Sequence, residues 1–219
     1  MKDRERYRRY FGVEPPDELG KFDVWPMYAA SFIRRMRKAD VGREASDAAD
    51  DQAEPKREAV PGQFGLIPHW ATDATIARHA YNARSETVAR KLSFRDAWRH
   101  GQRCIIPAEV FYKPDWRSSK AVPTRIARAD GEPMGIAGLW SWWKPPKGES
   151  IHSFSMLTIN AGDHRLMNQF HKATDEKRMV VILQEKAYQN WLAAPLERVE
   201  DFLQLYPADA MVAIAQPVL

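Results

Sequence analysis

Four side chains in this 219-residue sequence have the types and order that acid–base and anion chemistry require: Asn82, Arg84, Glu109 and His171. Asn82 lies in the polar run Tyr81-Asn82-Ala83-Arg84-Ser85-Glu86-Thr87. Its amide offers a donor and an acceptor at once and can hold a reacting amine or oxygen in place, although an Asn also suits a turn. Arg84, two residues on, shares its face if the segment is extended. A guanidinium there grips phosphate bidentately, or else pairs with Glu86 or Glu109. His171 titrates near neutral pH and can pass a proton. It competes with His69, His79, His100, His152 and His164. The run Arg178-Met179-Val180-Val181-Ile182-Leu183, read as a buried strand just beyond it, singles it out, with His164 the next choice. Strand alternation puts Glu109, Phe111 and Lys113 on one face. There Glu109, beside two aromatics, is an acid–base candidate with a raised pKa; the other reading is an edge carboxylate paired with a nearby arginine.

Bulk composition bounds the setting. With 44% hydrophobic and 28% charged residues, the chain is an ordinary globular sequence, and 219 residues suit one domain spanning 1–219. No apolar run reaches the roughly 20 residues of a membrane helix. The charged N-terminus is no secretory signal. The one cysteine, Cys104, excludes an internal disulfide and fits a reducing cytoplasm. It sits in the apolar run Cys104-Ile105-Ile106-Pro107 and reads as an inert core thiol. No CxxC, HExxH, GxGxxG, P-loop or GxSxG occurs, so neither a metal nor a cofactor is expected. Residues 42–59 hold six acids and three bases, which leaves 30 bases against 23 acids, a net +7, on the rest. A basic body with a separate acidic stretch suits a polyanion partner.

The positioning elements follow from the same pattern. Asp3 to Phe11 reads as a very basic helix stopped by Gly12. Residues 42–59 lack large apolar side chains and read as a flexible acidic loop inserted within the domain. Gln63 to Ile67, Cys104 to Tyr112, Pro133 to Trp143, Ser153 to Asn160 and Met179 to Leu183 read as strands. Ser93 is placed to cap a helix running to His100. Short helices are expected over His164–Phe170, Glu185–Ala193 and Leu196–Leu205. Strands dominate, so the class is α+β with a mainly antiparallel, barrel-like sheet and peripheral helices. Most of the eight tryptophans belong in the core, with Trp70 the exposed platform for base stacking.

Gly65-Leu66-Ile67-Pro68-His69-Trp70, Asn82-Ala83-Arg84-Ser85-Glu86-Thr87, Cys104-Ile105-Ile106-Pro107-Ala108 and His171 … Arg178-Met179 occur in one order. In that order they resemble the SRAP (SOS response-associated peptidase) family, over about Val24 to Leu183. The resemblance implies a protein that binds single-stranded DNA and bonds covalently to abasic sites in the DNA-damage response. Asn82 then positions an N-terminal cysteine, Arg84 binds DNA phosphate and His171 moves protons at the sugar; Trp70, His69, Ser85 and Arg178 join the DNA-binding set. In such proteins the cysteine's α-amine forms a Schiff base with the ring-opened sugar and its thiol closes a thiazolidine. The implied peptidase activity is release of the initiator methionine.

This sequence departs from that pattern at three places. Residue 2 is Lys2, not cysteine, which suggests a start assigned too late and a chain that lacks crosslinking activity as it stands. Lys113 occupies the position of the family's catalytic glutamate, so that Glu109 stands in for it, or Lys113, if desolvated, forms the Schiff base itself. Lys172 to Lys177 stretch the spacing from His171 to Arg178. The expected partner is abasic single-stranded DNA, with no membrane or obligate protein partner, and the expected location is cytoplasmic at the nucleoid. Two other functions fit the residues: a pseudoenzyme that only shields single-stranded DNA, and a small-molecule hydrolase using His171 and Glu109. The leading reading requires the Asn82 amide and the His171 imidazole to meet in an electropositive pocket beside the chain's beginning.

Overall fold

Local chemistry sets both ends of the first helix, α1 (Arg4–Phe11). The Asp3 carboxylate accepts from the Arg6 backbone N–H at 2.9 Å, and Gly12 ends the helix at φ 67° with its N–H donating to the Arg8 carbonyl. Tyr7 and Phe11, four residues apart, bury one stripe, while arginines crowd the rest of the surface. Phe11 stacks on Tyr188 with ring centroids 5.9 Å apart. The structure is a computed structural model that describes residues 3–18, 20–36, 56–118 and 120–216.

The chain then runs β1 (Ala29–Arg35), β2 (Arg57–Phe64), β3 (Asn82–Arg84), α2 (Arg95–Arg99), β4 (Arg103–Ala108), β5 (Phe111–Asp115) and β6 (Val122–Arg128). After these come β7 (Met134–Trp143), β8 (Ile151–Asn160), β9 (Arg178–Val180), β10 (Ile182–Leu183), α3 (Tyr188–Ala193) and β11 (Met211–Ala215), with short 3-10 turns between. The larger sheet has the order β10-β7-β4-β1-β2-β8-β3, with β9 on β8 and a further β7–β8 pairing. A smaller sheet is ordered β11-β6-β5. Phe32, Leu66, Ile105, Phe154 and Trp191 are fully buried in the main core. Trp191 closes one side of it, donating its indole N–H to the Cys104 carbonyl at 2.8 Å and accepting from Arg103 Nε at 3.0 Å through its own carbonyl.

The α+β class with strands predominating agrees with the reading of the sequence, but the sheet differs. It is mixed and not a true barrel. β2 and β3 both run parallel to β8, the former over only Gln63↔Ser153 and Phe64↔Phe154, the short strands β10 and β3 end the order, and β9 lies off it on β8. The single strand expected from Cys104 to Tyr112 is two strands in different sheets, broken at Glu109-Val110. The break lies between the buried pair Ile105-Ile106 and Phe111, which pack in the main core from separate sheets. Of the acidic stretch 42–59, Arg57 to Ala59 pair with Ile33 to Arg35 in β2, and the part before residue 56 lies outside the described residues. α2 begins after Phe94, which makes no side-chain cap bond, so Ser93 is not its cap. The tryptophans divide evenly, with Trp98, Trp140, Trp143 and Trp191 buried and Trp25, Trp70, Trp116 and Trp142 exposed. β6 and β11, which build the smaller sheet, were not read as strands at all.

Three bonds lock the Gly65-Leu66-Ile67 motif against the sheet. Gly65 N–H donates to the Phe154 carbonyl at 2.8 Å, Leu66 N–H to the Ala80 carbonyl at 2.9 Å, and Ile67 N–H to the Ser153 hydroxyl at 2.8 Å. Gly65 has φ 109°, and a Cβ there would collide with the Ala77 carbonyl. The motif's glycine therefore lets the 3-10 turn Ala74–Arg78 lie flat on the sheet edge and deliver the chain into β3. Gly65→Ala is expected to cost about 2 kcal/mol or more, since strained backbone alone accounts for roughly 1–3 kcal/mol. Urea unfolding midpoints of the two proteins measure it.

Candidate active site

β3 presents two polar side chains outward because its middle residue is core. Ala83 is fully buried, Asn82 and Arg84 are exposed on either side of it, and the strand pairs in parallel with β8 as Asn82↔Met156 and Arg84↔Thr158. The two therefore share a face, as strand alternation requires. Both line a cavity of about 290 Å³ together with His79, Thr87 and Lys91, and no carboxylate is among its lining residues. A neighbouring cavity of about 400 Å³ shares His79 and carries Trp70 and Arg78 at its rim. Trp70 is 45% exposed there, as expected of a stacking platform, although Trp25 is more exposed at 68%.

A second centre forms where β5 meets the segment after β8. Lys113 Nζ lies 3.3 Å from His171 Nε2. His171 adopts φ 65°, a left-handed conformation that is costly for a residue with a side chain. Bonds on both sides hold it: its N–H donates to the Pro114 carbonyl at 2.9 Å, and its own carbonyl accepts from Lys177 Nζ at 3.2 Å. Lys177 Nζ also binds the carbonyls of Phe170 and Lys172 at 2.8 and 2.7 Å. The stretched loop between His171 and Arg178 thus closes on its own lysine and fixes the imidazole in place.

Burial, the nearby Lys113 ammonium and Lys177 lower the His171 pKa against an opposing pull from Asp175, which leaves the imidazole neutral at neutral pH. Burial, and then the positive charge of Arg178, lower the Lys113 amine to about 8. Among the described residues no carboxylate pairs with Lys113. His164, the fallback, is structural: it is 5% exposed, its Nε2 lies 2.7 Å from the Tyr206 carbonyl, and its Nδ1 accepts from the N–H of Leu166 and of Met167.

Arg178 joins the two centres. Its guanidinium is buried, donating to Glu176 at 2.5 Å, to Glu86 at 2.8 Å, and to the hydroxyl and carbonyl of Thr158 at 3.1 and 2.7 Å. Burial pushes the Glu86 carboxyl up, but its hydrogen bonds, from Arg178 above all, outweigh burial and hold it below the usual range. With its donors occupied, Arg178 is an internal strut and not the DNA contact expected of it. Glu86 pairs with Arg178 and not with Arg84, whose partner is Glu176 at 2.7 Å. Glu176, Thr158 and Lys177 were not anticipated as site residues, and only Glu86 lay within a recognised motif.

Glu109 lies outside this constellation. The break between β4 and β5 ends the alternation with Lys113, and Glu109 is an exposed carboxylate 3.5 Å from Arg6 of α1, the edge ion pair that was its other reading. His69 is exposed, 3.8 Å from Asp96. Ser85 donates its N–H to the Thr158 carbonyl at 3.0 Å, continuing the β3 ladder. Asn82 lines the cavity of about 290 Å³, whereas His171 lines neither of the two cavities described above. They belong to two adjoining centres bridged by Glu176, which holds Arg84 on one side and Arg178 on the other. Lys2 lies outside the described residues. Cys104 is fully buried and burial pushes its thiol pKa well up, consistent with an inert thiol.

The Lys113 shift carries a sign. The unfolded lysine binds its proton more tightly than the folded one, so the penalty for a charged Lys113 is fully present below about pH 8 and disappears as pH rises toward 10.5. Lys113→Met is therefore expected to be more stable than the parent at pH 7, by a margin that shrinks by pH 10. Urea midpoints at the two pH values measure this, and a margin that widens with pH contradicts the assignment.

The SOS response associated peptidase (SRAP) family matches residues 2–218. The abasic site processing protein YoqW of Bacillus subtilis (strain 168) is 34% identical over 157 residues, 69% of this chain and 66% of YoqW. The abasic site processing protein HMCES of Rattus norvegicus is 27% identical over 164 residues, 60% of this chain and 44% of HMCES. The match thus spans just under two thirds of the bacterial relative and under half of the rat one. Among solved structures, a protein from Bordetella bronchiseptica has a TM-score of 0.85 and 46% identity, covering 100% of this chain and 97% of that one. Another, from Bacteroides thetaiotaomicron, has a TM-score of 0.64 and 25% identity over 72% of this chain and 69% of that one. With the family match running almost end to end and the fold shared at this level, the chain belongs to the SOS response associated peptidase (SRAP) family.

Proposed function

We propose that this protein recognises abasic sites in single-stranded DNA and bonds covalently to them as part of a DNA-damage response at the nucleoid. The observation that carries the reading is the outward face of β3. Asn82 and Arg84 stand side by side on it, at a cavity whose charged lining is basic, within a chain of the SRAP family. Its relatives YoqW and HMCES are named for abasic site processing. Arg84 and Lys91 supply phosphate contacts, and Trp70 at the rim of the adjoining cavity supplies a base-stacking face. The neutral His171 stands ready to accept a proton when a sugar aldehyde is attacked.

Arg84 reaches phosphate by exchanging Glu176 for it. The arginine side chain is 56% exposed, and a surface pair of this kind contributes about 0–1 kcal/mol, so the exchange is cheap. Glu176 then acts as a resident competitor for the phosphate. A hydrolase built on His171 and Glu109 is disfavoured because Glu109 is engaged with Arg6 on another strand connection. The pseudoenzyme reading shares the binding surface and differs in forming no covalent product.

Fluorescence anisotropy with a labelled single-stranded oligonucleotide, intact or carrying one abasic site, tests the binding. Arg84→Ala is expected to weaken affinity and to reduce the slope of log K against log salt by about 0.7, the value for one phosphate contact on a single strand. Glu176→Gln is expected to strengthen binding by releasing Arg84. Equal affinity of all three proteins, with an unchanged salt slope, would exclude this face as the DNA site. A denaturing gel of the abasic complex separates covalent capture from shielding alone.

A further inference from the structure

We propose that the ε-amine of Lys113 is itself the nucleophile that captures the ring-opened abasic sugar, as an imine whose formation is assisted by His171. This inference rests on the abasic-site reading above and deepens it by naming the bond that forms. The geometry is an amine on β5 and an imidazole on the segment after β8, 3.3 Å apart, with the lysine within the field of Arg178 and no carboxylate paired to it among the described residues. A lysine anchored to a carboxylate would stay an ammonium and could not attack. Here burial and the Arg178 guanidinium work against the ammonium, so about a tenth of Lys113 is free amine at pH 7, far more than for an ordinary lysine. His171, kept neutral by the same surroundings, is the adjacent proton acceptor.

The chemistry balances within the site. The Nζ lone pair attacks the aldehyde carbon of the open-chain deoxyribose, giving a carbinolamine. His171 takes a proton from the attacking nitrogen and returns it to the carbinolamine oxygen. The hydroxyl leaves as water with a second proton, passed from the nitrogen by the same imidazole, the C=N bond forms, and the sum is amine plus aldehyde giving imine plus water. The imine stays open, because closing a five-membered thiazolidine needs a thiol next to the amine. A lysine side chain carries no thiol beside its ε-amine, so this adduct has no such ring to close. The adduct is therefore reversible by water and becomes permanent only when hydride reduces it to a secondary amine.

The test incubates the full chain with a single-stranded oligonucleotide containing one abasic site, with and without sodium cyanoborohydride, followed by a denaturing gel and peptide mass mapping. The expected result is an adduct that survives denaturation only after reduction, maps to Lys113 and is absent in Lys113→Arg. Its rate is expected to rise with pH and level off above about 8, the pKa of the amine. His171→Gln is expected to slow capture by about a hundredfold, the usual scale for a lost proton-transfer group, while the adduct still maps to Lys113. Mapping on the parent protein identifies the reacting residue even if a variant fails to fold. An adduct on the N-terminal amine or on another lysine overturns the inference, as does an undiminished adduct in folded Lys113→Arg. Tight binding of the abasic oligonucleotide with no reducible adduct overturns it too and leaves the recognition reading standing. A parent protein that does not bind the abasic oligonucleotide at all sinks both.

Discussion

A guanidinium removed from water must have its charge met by fixed partners, and that requirement organises the site. Arg178 is 8% exposed, and an uncompensated buried charge would cost several kcal/mol. Its neighbours meet it completely: Thr158 from β8, Glu86 from the turn after β3, and Glu176 from the loop that precedes β9. Three separate chain segments are thereby drawn to one point. Arg178 also adds to burial in opposing a positive charge on Lys113. One buried cation thus closes the loop, holds Arg84 at the surface through Glu176 and biases the lysine toward its neutral form.

His171 shows the same economy in the backbone. A left-handed conformation for a residue with a Cβ persists only where its surroundings over-determine it. Here the Pro114 carbonyl and the Lys177 ammonium grip the two sides of the peptide unit, and Lys177 spends all its donors on main-chain carbonyls. The six residues between His171 and Arg178 supply the lysine that grips the His171 carbonyl and the glutamate that bridges Arg178 to Arg84. Two groups result, an exposed face on β3 carrying Asn82 and Arg84 and a more sheltered amine–imidazole pair, linked through Glu176 and Arg178.

Legibility in the sequence followed the range of the interaction responsible. α1 and its caps were readable because Asp3, the Tyr7/Phe11 stripe and Gly12 act over a single helix. The long strands β7 and β8 were readable from continuous apolar runs, nearly to the residue. The Asn82–Arg84 face was readable from alternation. The break at Glu109-Val110 was not, since apolar residues flank Glu109 on both sides and only the division into two sheets requires a turn there. β6 sits between β5 and β11 in the smaller sheet, and β11 reaches it from far along the chain. Glu109 looked like a site residue for the same reason that the break went unseen: alternation was carried across a place where the strand ends.

By itself, then, the sequence determined the family, the α+β class, the identity of the amide, guanidinium and imidazole, and the inert character of Cys104. Those follow from residue type, order and short-range periodicity. Tertiary structure alone decided which charges meet. It turned Arg178 from a surface contact into a buried strut, gave Glu176 to Arg84, set Glu109 against Arg6 and brought Lys113 to His171 across 58 positions of chain. Charge pairing depends on distances between segments remote in sequence, and a guanidinium or an ammonium carries no local mark of the partner that folding will bring to it.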